Sequence, residues 1–244
     1  MSDIGARYSI NGTTTLVTGA TGDIGQCICK TFKSRGQRVI GIGRSEDKLI
    51  ALRSMDIETT ILEMKNFEQV LEYVDSGLMP AVDNIVFCHG ISVARQMRFA
   101  SPDFIQSIIN TNLTSVMVMI AGILKRKKLN RPGRVVFISS IAAHIGSPFV
   151  PIYSGAKAGM EGLSRSLARD YLKKGITFNS IAPAAIPTSI YGGEEVAVLD
   201  ESLYPLGLGS VEDVANAAEY LCLSGNRFTT GETIVLDGGA QVLR

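Results

Sequence analysis

The stretch Thr13-Thr14-Thr15-Leu16-Val17-Thr18-Gly19-Ala20-Thr21-Gly22-Asp23-Ile24-Gly25 carries the first decision about the fold. Residues 13–18 form a short β-branched run, the composition of a strand, ending on a glycine-rich bend. Residues 24–34 read as a helix that stops at Gly36. In a strand–bend–helix of this kind Gly19 makes the tight turn, and Gly25 lets the helix pack close to the strand. The helix N-terminus, with unpaired N–H groups and the positive dipole end, then offers a seat for a pyrophosphate. Asp23 sets a carboxylate beside that seat.

The rest of the chain repeats the alternation. Residues 38–42 read as a strand, and 46–53 as a helix with Ser45 as N-cap. Residues 59–64 read as a third strand, 67–76 as a short helix and 84–88 as a buried strand. Ser101-Pro102-Asp103 joins an N-cap to proline at the first helical position, opening a helix that runs to residue 124. A strand over 134–139, a helix through Tyr153 to residue 172 and a strand over 177–181 follow. A capping box at Ser210 and Asp213 starts a helix to residue 221, and 233–236 is the last strand. Nearly all-apolar strands alternating with helices imply a parallel sheet covered on both faces. No repeat, linker or composition shift marks a boundary. The expected fold is α/β: a single doubly wound parallel sheet (Rossmann fold) with helices on both faces, over residues 1–244.

Composition narrows the function classes. Hydrophobic residues make up 45% of the 244, ample for a core, and the net charge is +1. That balance argues against nucleic acid or an anionic membrane as partner. The most apolar run, 116–124, is too short to span a bilayer, and no signal-peptide pattern precedes residue 13. Cys27, Cys29, Cys88 and Cys222 lack disulfide-framework spacing, so a reducing cytoplasm is the expected setting. With only His89 and His144, and no CxxC or HxxxH, no metal site is expected.

Tyr153-Ser154-Gly155-Ala156-Lys157 supplies chemistry. On a helix, residues four apart share a face. A free tyrosine, with a pKa of about 10, is a poor proton donor or acceptor at neutral pH. A neighbouring ammonium stabilises the phenolate and brings Tyr153 toward the range of acid–base catalysis. A serine hydroxyl on a nearby strand end, Ser140, could hold a carbonyl or alcohol oxygen beside the phenol.

Taken with Asn112, Ser140, Asn179-Ser180-Ile181-Ala182-Pro183 and Asp237-Gly238-Gly239, in that order, these motifs resemble the short-chain dehydrogenase/reductase family over residues 13–239. The resemblance implies a nicotinamide cofactor on the first glycine bend, at Gly19, Thr21, Asp23, Ile24 and Gly25. Glu63 or Met64 would meet the adenine, Cys88 and Gly90 would border the cofactor, and Pro183, Ile186 and Thr188 would close over the nicotinamide. The family has glycine at position 23 and at Ala184, and commonly Asn-Asn-Ala-Gly where this chain has Phe87-Cys88-His89-Gly90. His89 is expected to be structural or a cofactor-edge group.

An acidic residue after the second strand would suit the ribose 2′-hydroxyl of NAD. Gly43-Arg44-Ser45 stands there instead. Arg44 offers a planar fork to a 2′-phosphate, with Ser45 as second donor and Lys48 one turn on, so NADP(H) is expected.

The resemblance makes Asn112, Ser140, Tyr153 and Lys157 the catalytic set, with Asn112 interrupting the long helix and Ser139 only a packing neighbour. The implied reaction is reduction of a ketone, or oxidation of the matching alcohol. His144, Ser140 and Tyr153 are the expected substrate contacts, and residues 188–209 a lid hinged at Gly192-Gly193. The family's 3-oxoacyl-carrier-protein reductases make a 3-oxoacyl thioester the first substrate candidate; a sugar-derived ketone is an alternative. A dinucleotide-binding regulatory subunit without turnover is another, against which the intact Asn-Ser-Tyr-Lys set argues. A homo-oligomer, tetramer or dimer, is the implied assembly.

Overall fold

The computed structural model describes residues 9–188 and 201–242. The first half runs β1 (Thr14–Thr18), α1 (Asp23–Ser34), β2 (Arg38–Gly43), α2 (Glu46–Arg53), β3 (Glu58–Ile61), α3 (Phe67–Asp75) and β4 (Val82–Phe87). It continues through α4 (Pro102–Ile109), a π-helical turn (Asn110–Thr114), α5 (Ser115–Lys125) and β5 (Leu129–Ile138). Then come α6 (Pro151–Tyr171), β6 (Ile176–Pro183), α7 (Val211–Cys222) and β7 (Thr233–Leu236).

The strands form one parallel sheet in the order β3-β2-β1-β4-β5-β6-β7. Period-two alternation sends the side chains of each strand to opposite faces, so neighbours in sequence feed different cores. Val135 and Phe137 join Val70, Val74, Val116, Met119 and Ile123 from α3 and α5. Val136 and Ile138 join Ile28, Phe32, Val214 and Ala218 from α1 and α7. Phe87, Phe137 and Phe178, on three adjacent strands, stack at centroid separations of 5.4 and 6.4 Å. Aromatic pairs of this kind add about 0.5–1.5 kcal/mol each beyond area burial.

Three differences from the expected boundaries have local causes. β5 begins at Leu129, five residues early, because Leu129 pairs with Val82 before a register shift leads to Asn84 opposite Arg134. β3 stops at Ile61, although the Leu62 N–H still donates to the Gly43 carbonyl. The helix expected from Ser101 to residue 124 is broken by the π turn. There Thr111 Oγ1, Asn112 Nδ2 and Ser115 Oγ donate to carbonyls four residues back, at Ser107, Ile108 and Thr111. Side-chain bonds of this kind loosen the ladder.

Taken as one run, Pro102–Lys125 is long and apolar enough to cross a bilayer, yet half of its most apolar stretch is buried inside the protein. Val116, Met119, Ile120 and Ile123 pack into the core. That buried half of its apolar surface serves this fold.

Sheet order reverses between β1 and β4. Such a switch point opens a crevice beyond the carboxyl ends of the strands, the usual ligand position in open α/β sheets.

Candidate active site

A cleft of about 750 Å³ lies there, within the usual range for small-molecule sites. The first bend contributes Gly19, Thr21, Asp23, Ile24 and Gly25 to its walls, and the ends of β2 and β3 contribute Arg44, Ser45, Glu63 and Met64. Cys88 and Gly90 follow β4, Ser140 follows β5, and Tyr153 and Lys157 come from α6. Pro183, Ile186 and Thr188 close the far side. The structure thus brings every cofactor position expected from sequence to one cleft. Asn112 sits just behind it, against Gly90, and His144 is not among its lining residues. Of the expected lid, 189–200, including Gly192-Gly193, lie outside the described residues.

The bend fits a phosphate cradle sterically. Gly19 has φ +70°, and a Cβ there would lie 2.6 Å from the His89 nitrogen. A Cβ on Gly25 would lie 2.2 Å from the Gly19 carbonyl oxygen. Only glycine allows this approach, which aims the N-terminus of α1 into the cleft. Asp23 is the first residue of α1, where a carboxylate favours the helix dipole but opposes a bound anion. Arg44 donates through Nη1 to Glu63 Oε2 at 3.2 Å across the other end of the cleft. Sequence reading had placed both residues at the cofactor without seeing that they pair.

Lys157 is 3% exposed and sits one turn after Tyr153, with Nζ 5.6 Å from the phenol ring centroid. Its ammonium donates to the Ile138 carbonyl at 2.7 Å. Burial pulls its pKa down to about 8, with Cys88 opposing. Burial pushes the Cys88 thiol the other way, up to about 12, and Lys157 moderates that rise. Cys88 is therefore a neutral wall, not a nucleophile. Ser140 caps the short turn Ile141–Ala143, its Oγ accepting from the Ala142 N–H at 3.2 Å.

Asn112 clasps the loop after β4 from both sides. Its Oδ1 accepts from the Ile91 N–H at 3.1 Å, and its Nδ2 donates to the Ile91 carbonyl at 2.9 Å. The π turn aims this amide, as the expectation that Asn112 interrupts the helix required. His89 lines the cleft and is held by Thr18 Oγ1 on Nδ1 (2.7 Å) and Ser115 Oγ on Nε2 (2.8 Å). Burial first, then Lys157 and Arg44, lower its pKa to about 3.

One residue was missed by sequence reading. The buried Glu161 on α6 receives the Ser139 hydroxyl at 2.7 Å and faces His144 Nε2 at 3.0 Å, both on Oε1. This ties the turn carrying Ser140 to the helix carrying Tyr153. Its signal was a lone acid two turns beyond Tyr153, whose burial only the packed fold reveals. Ser139 borders the cleft and directs its hydroxyl to this carboxylate, and His144 is engaged with Glu161.

The family described as enoyl-(acyl carrier protein) reductase matches residues 19–241. The 3-oxoacyl-[acyl-carrier-protein] reductase FabG of Escherichia coli (strain K12) is 31% identical, covering 96% of this chain and 100% of its own. A short-chain type dehydrogenase/reductase from Mycobacterium ulcerans superposes with a TM-score of 0.86 at 25% identity, covering 97% of this chain and 92% of its own. The structure of ElxO with NADP bound gives 0.82 at 26% identity, over 94% of this chain and 99% of its own. With that match running from the glycine bend to the last strand, and a serine, a tyrosine and a buried lysine walling the cleft at the switch point, this chain belongs to the short-chain dehydrogenase/reductase family of oxidoreductases.

Proposed function

We propose that the protein is an NADP(H)-dependent reductase of ketones, acting first on 3-oxoacyl thioesters, or in the reverse direction a dehydrogenase of the matching secondary alcohols. The observation that carries this reading is the convergence of Ser140, Tyr153 and Lys157 on the cleft that also holds the glycine bend and Arg44. Relatedness to FabG supports the thioester, and likeness to a structure with bound NADP supports the cofactor.

Bound NADPH would supply a hydride to the carbonyl carbon. Tyr153 gives its phenolic proton to the oxygen as negative charge develops there, so that ketone, hydride and proton yield the alcohol. Ser140 donates a hydrogen bond to the same oxygen, stabilising it most when it is most negative. Lys157, held by the Ile138 carbonyl, keeps positive charge beside the phenol and stabilises the phenolate left behind. Asn112 fixes the loop that borders Lys157, and proton return passes through this polar side of the cleft. Arg44 has five N–H donors, one engaged by Glu63. The others, with Ser45 and Lys48, form the 2′-phosphate site. Residues 188–209 would shut the cleft over substrate, with His144 brought toward it only by releasing Glu161. The working unit is a cytoplasmic homo-oligomer, tetramer or dimer, of one-domain chains.

The test follows nicotinamide absorbance with 3-oxoacyl thioesters, diketones and keto-sugars, each with NADPH and NADH. Turnover fastest on the thioesters, with NADPH preferred and the preference lost in Arg44→Asp, is expected. An NADH preference in the unmodified protein refutes the cofactor assignment, and absence of turnover across the panel refutes the enzyme.

A further inference from the structure

We propose that His89 is a positioning residue, fixed as the neutral tautomer with its hydrogen on Nε2, that locks the loop after β4 to the π turn carrying Asn112. Counting hydrogens around the imidazole gives the tautomer. Ser115 Oγ donates to the Thr111 carbonyl at 2.8 Å, which uses its only hydrogen. The Ser115 oxygen can then only accept from His89 Nε2, 2.8 Å away. On the other side, Thr18 Oγ1 receives the Cys88 N–H at 3.2 Å, an N–H shared with the Thr18 carbonyl at 3.3 Å. The Thr18 hydroxyl hydrogen therefore points at His89 Nδ1, 2.7 Å away. Each hydrogen has an acceptor, in one directed series from Cys88 through Thr18, His89 and Ser115 to Thr111.

The other forms fail this count. A hydrogen on Nδ1, in the second tautomer or the imidazolium, would face Thr18 Oγ1 and strand the Thr18 hydroxyl hydrogen without an acceptor among the described contacts. Thr18 and Ser115 are fully buried and His89 is 8% exposed, so water does not relieve that loss. The imidazolium would also lie near two cations, Lys157 and Arg44, with the Cys88 thiol neutral.

The consequence reaches the proposed chemistry. Residues 88–91 are tied to the π turn twice, by His89 through Ser115 and Thr111, and by Ile91 through Asn112. Gly90 lies between the two ties. A Cβ on it would come within 2.5 Å of Asn112 Oδ1 and 3.5 Å of Lys157 Nζ. His89 thus holds the backbone that borders Lys157, although it touches no reacting atom.

Two arms test this, and only the kinetic one rests on the proposed function. The chain has two histidines, so nitrogen NMR on the full-length, ¹⁵N-histidine-labelled protein resolves both, with His144→Gln assigning them. His89 should show one protonated and one bare nitrogen, unchanged from about pH 5 to pH 9. Averaged signals, a protonated Nδ1 or a titrating ring overturns the proposal.

In the kinetic arm, His89→Gln keeps a donor for Ser115 and His89→Asn keeps an acceptor for Thr18. The link to Ser115 is the one that reaches the π turn. His89→Gln should stay within about threefold of the parent kcat while His89→Asn falls about tenfold, with KM for NADPH nearly constant in both. Equal loss in the two variants, or none in either, overturns it. If the parent itself shows no turnover, the proposed function fails, and the nitrogen signals with amide exchange at Gly90 and Ile91 decide. Exchange that is slow in the parent and fast in His89→Asn supports the lock, and exchange fast in both overturns it.

Discussion

Replacing Lys157 with methionine should stabilise the fold while abolishing turnover. The ammonium is buried, and its pKa falls from 10.5 to about 8, chiefly through loss of solvent. That fall corresponds to a penalty of about 3 kcal/mol on the charged form in the folded state. The sign follows from proton counts. Below pH 8 folded and unfolded chains both hold the proton, and the folded one bears the whole penalty. Between about 8 and 10.5 the folded chain sheds a proton that the unfolded chain keeps, so stability rises with pH across that window. Methionine keeps a linear apolar side chain but leaves the Ile138 carbonyl without this donor, a loss of about 1 kcal/mol. The balance favours Lys157→Met by about 2 kcal/mol at pH 7, shrinking to near zero by about pH 10. Urea unfolding of both proteins at one fixed protein concentration measures this. A variant less stable than the parent at pH 7, or a gap that stays constant between neutral and alkaline pH, refutes the reasoning.

Asp23→Asn should tighten NADPH about three- to tenfold in a fluorescence titration, by removing a carboxylate from the helix end that would face phosphate, with the gain fading at high salt; unchanged affinity would place the phosphates elsewhere. Glu161→Ala removes the acceptor shared by His144 and the Ser139 hydroxyl, leaving Ser139 only a longer bond to the Lys157 carbonyl at 3.4 Å, and should lower stability by about 1–2 kcal/mol, read as a drop in Tm; an unaltered melt would mean the cluster carries little. His89 has a folded pKa of about 3 against 6.5 for the free group, so its neutral form stabilises the fold above 6.5 and that contribution fades as pH falls toward 3. The parent should therefore lose stability relative to His89→Gln by about 1.4 kcal/mol per pH unit in that window, and parallel pH curves for the two proteins would contradict it.

Much of the fold could be read from residues because local signals agreed with the global pattern. The helix Glu46–Arg53 and the strand Thr233–Leu236 have the boundaries expected of them, and Ser210 and Asp213 form the reciprocal capping box. β5 escaped at its start because Asn130, Arg131 and Pro132 look like a loop, and only pairing with β4 makes Leu129 a strand residue. In the site, glycine spacing and the Tyr–Lys interval were legible because each is a local geometric requirement. The Arg44–Glu63 and His144–Glu161 pairs join residues 19 and 17 apart on different elements, and no periodicity connects them. The π turn was foreshadowed by Asn112 alone; the back-bonding of Thr111 and Ser115 that completes it appears only once the helix is packed.

The most direct measurement is turnover by Tyr153→Phe. The substitution keeps the ring beside Lys157 and deletes only the ionisable oxygen. NADPH should bind with the parent's affinity while kcat falls by about a thousandfold or more. A variant that still reduces the best ketone at a rate near the parent's would contradict the account, because another group would then be delivering the proton.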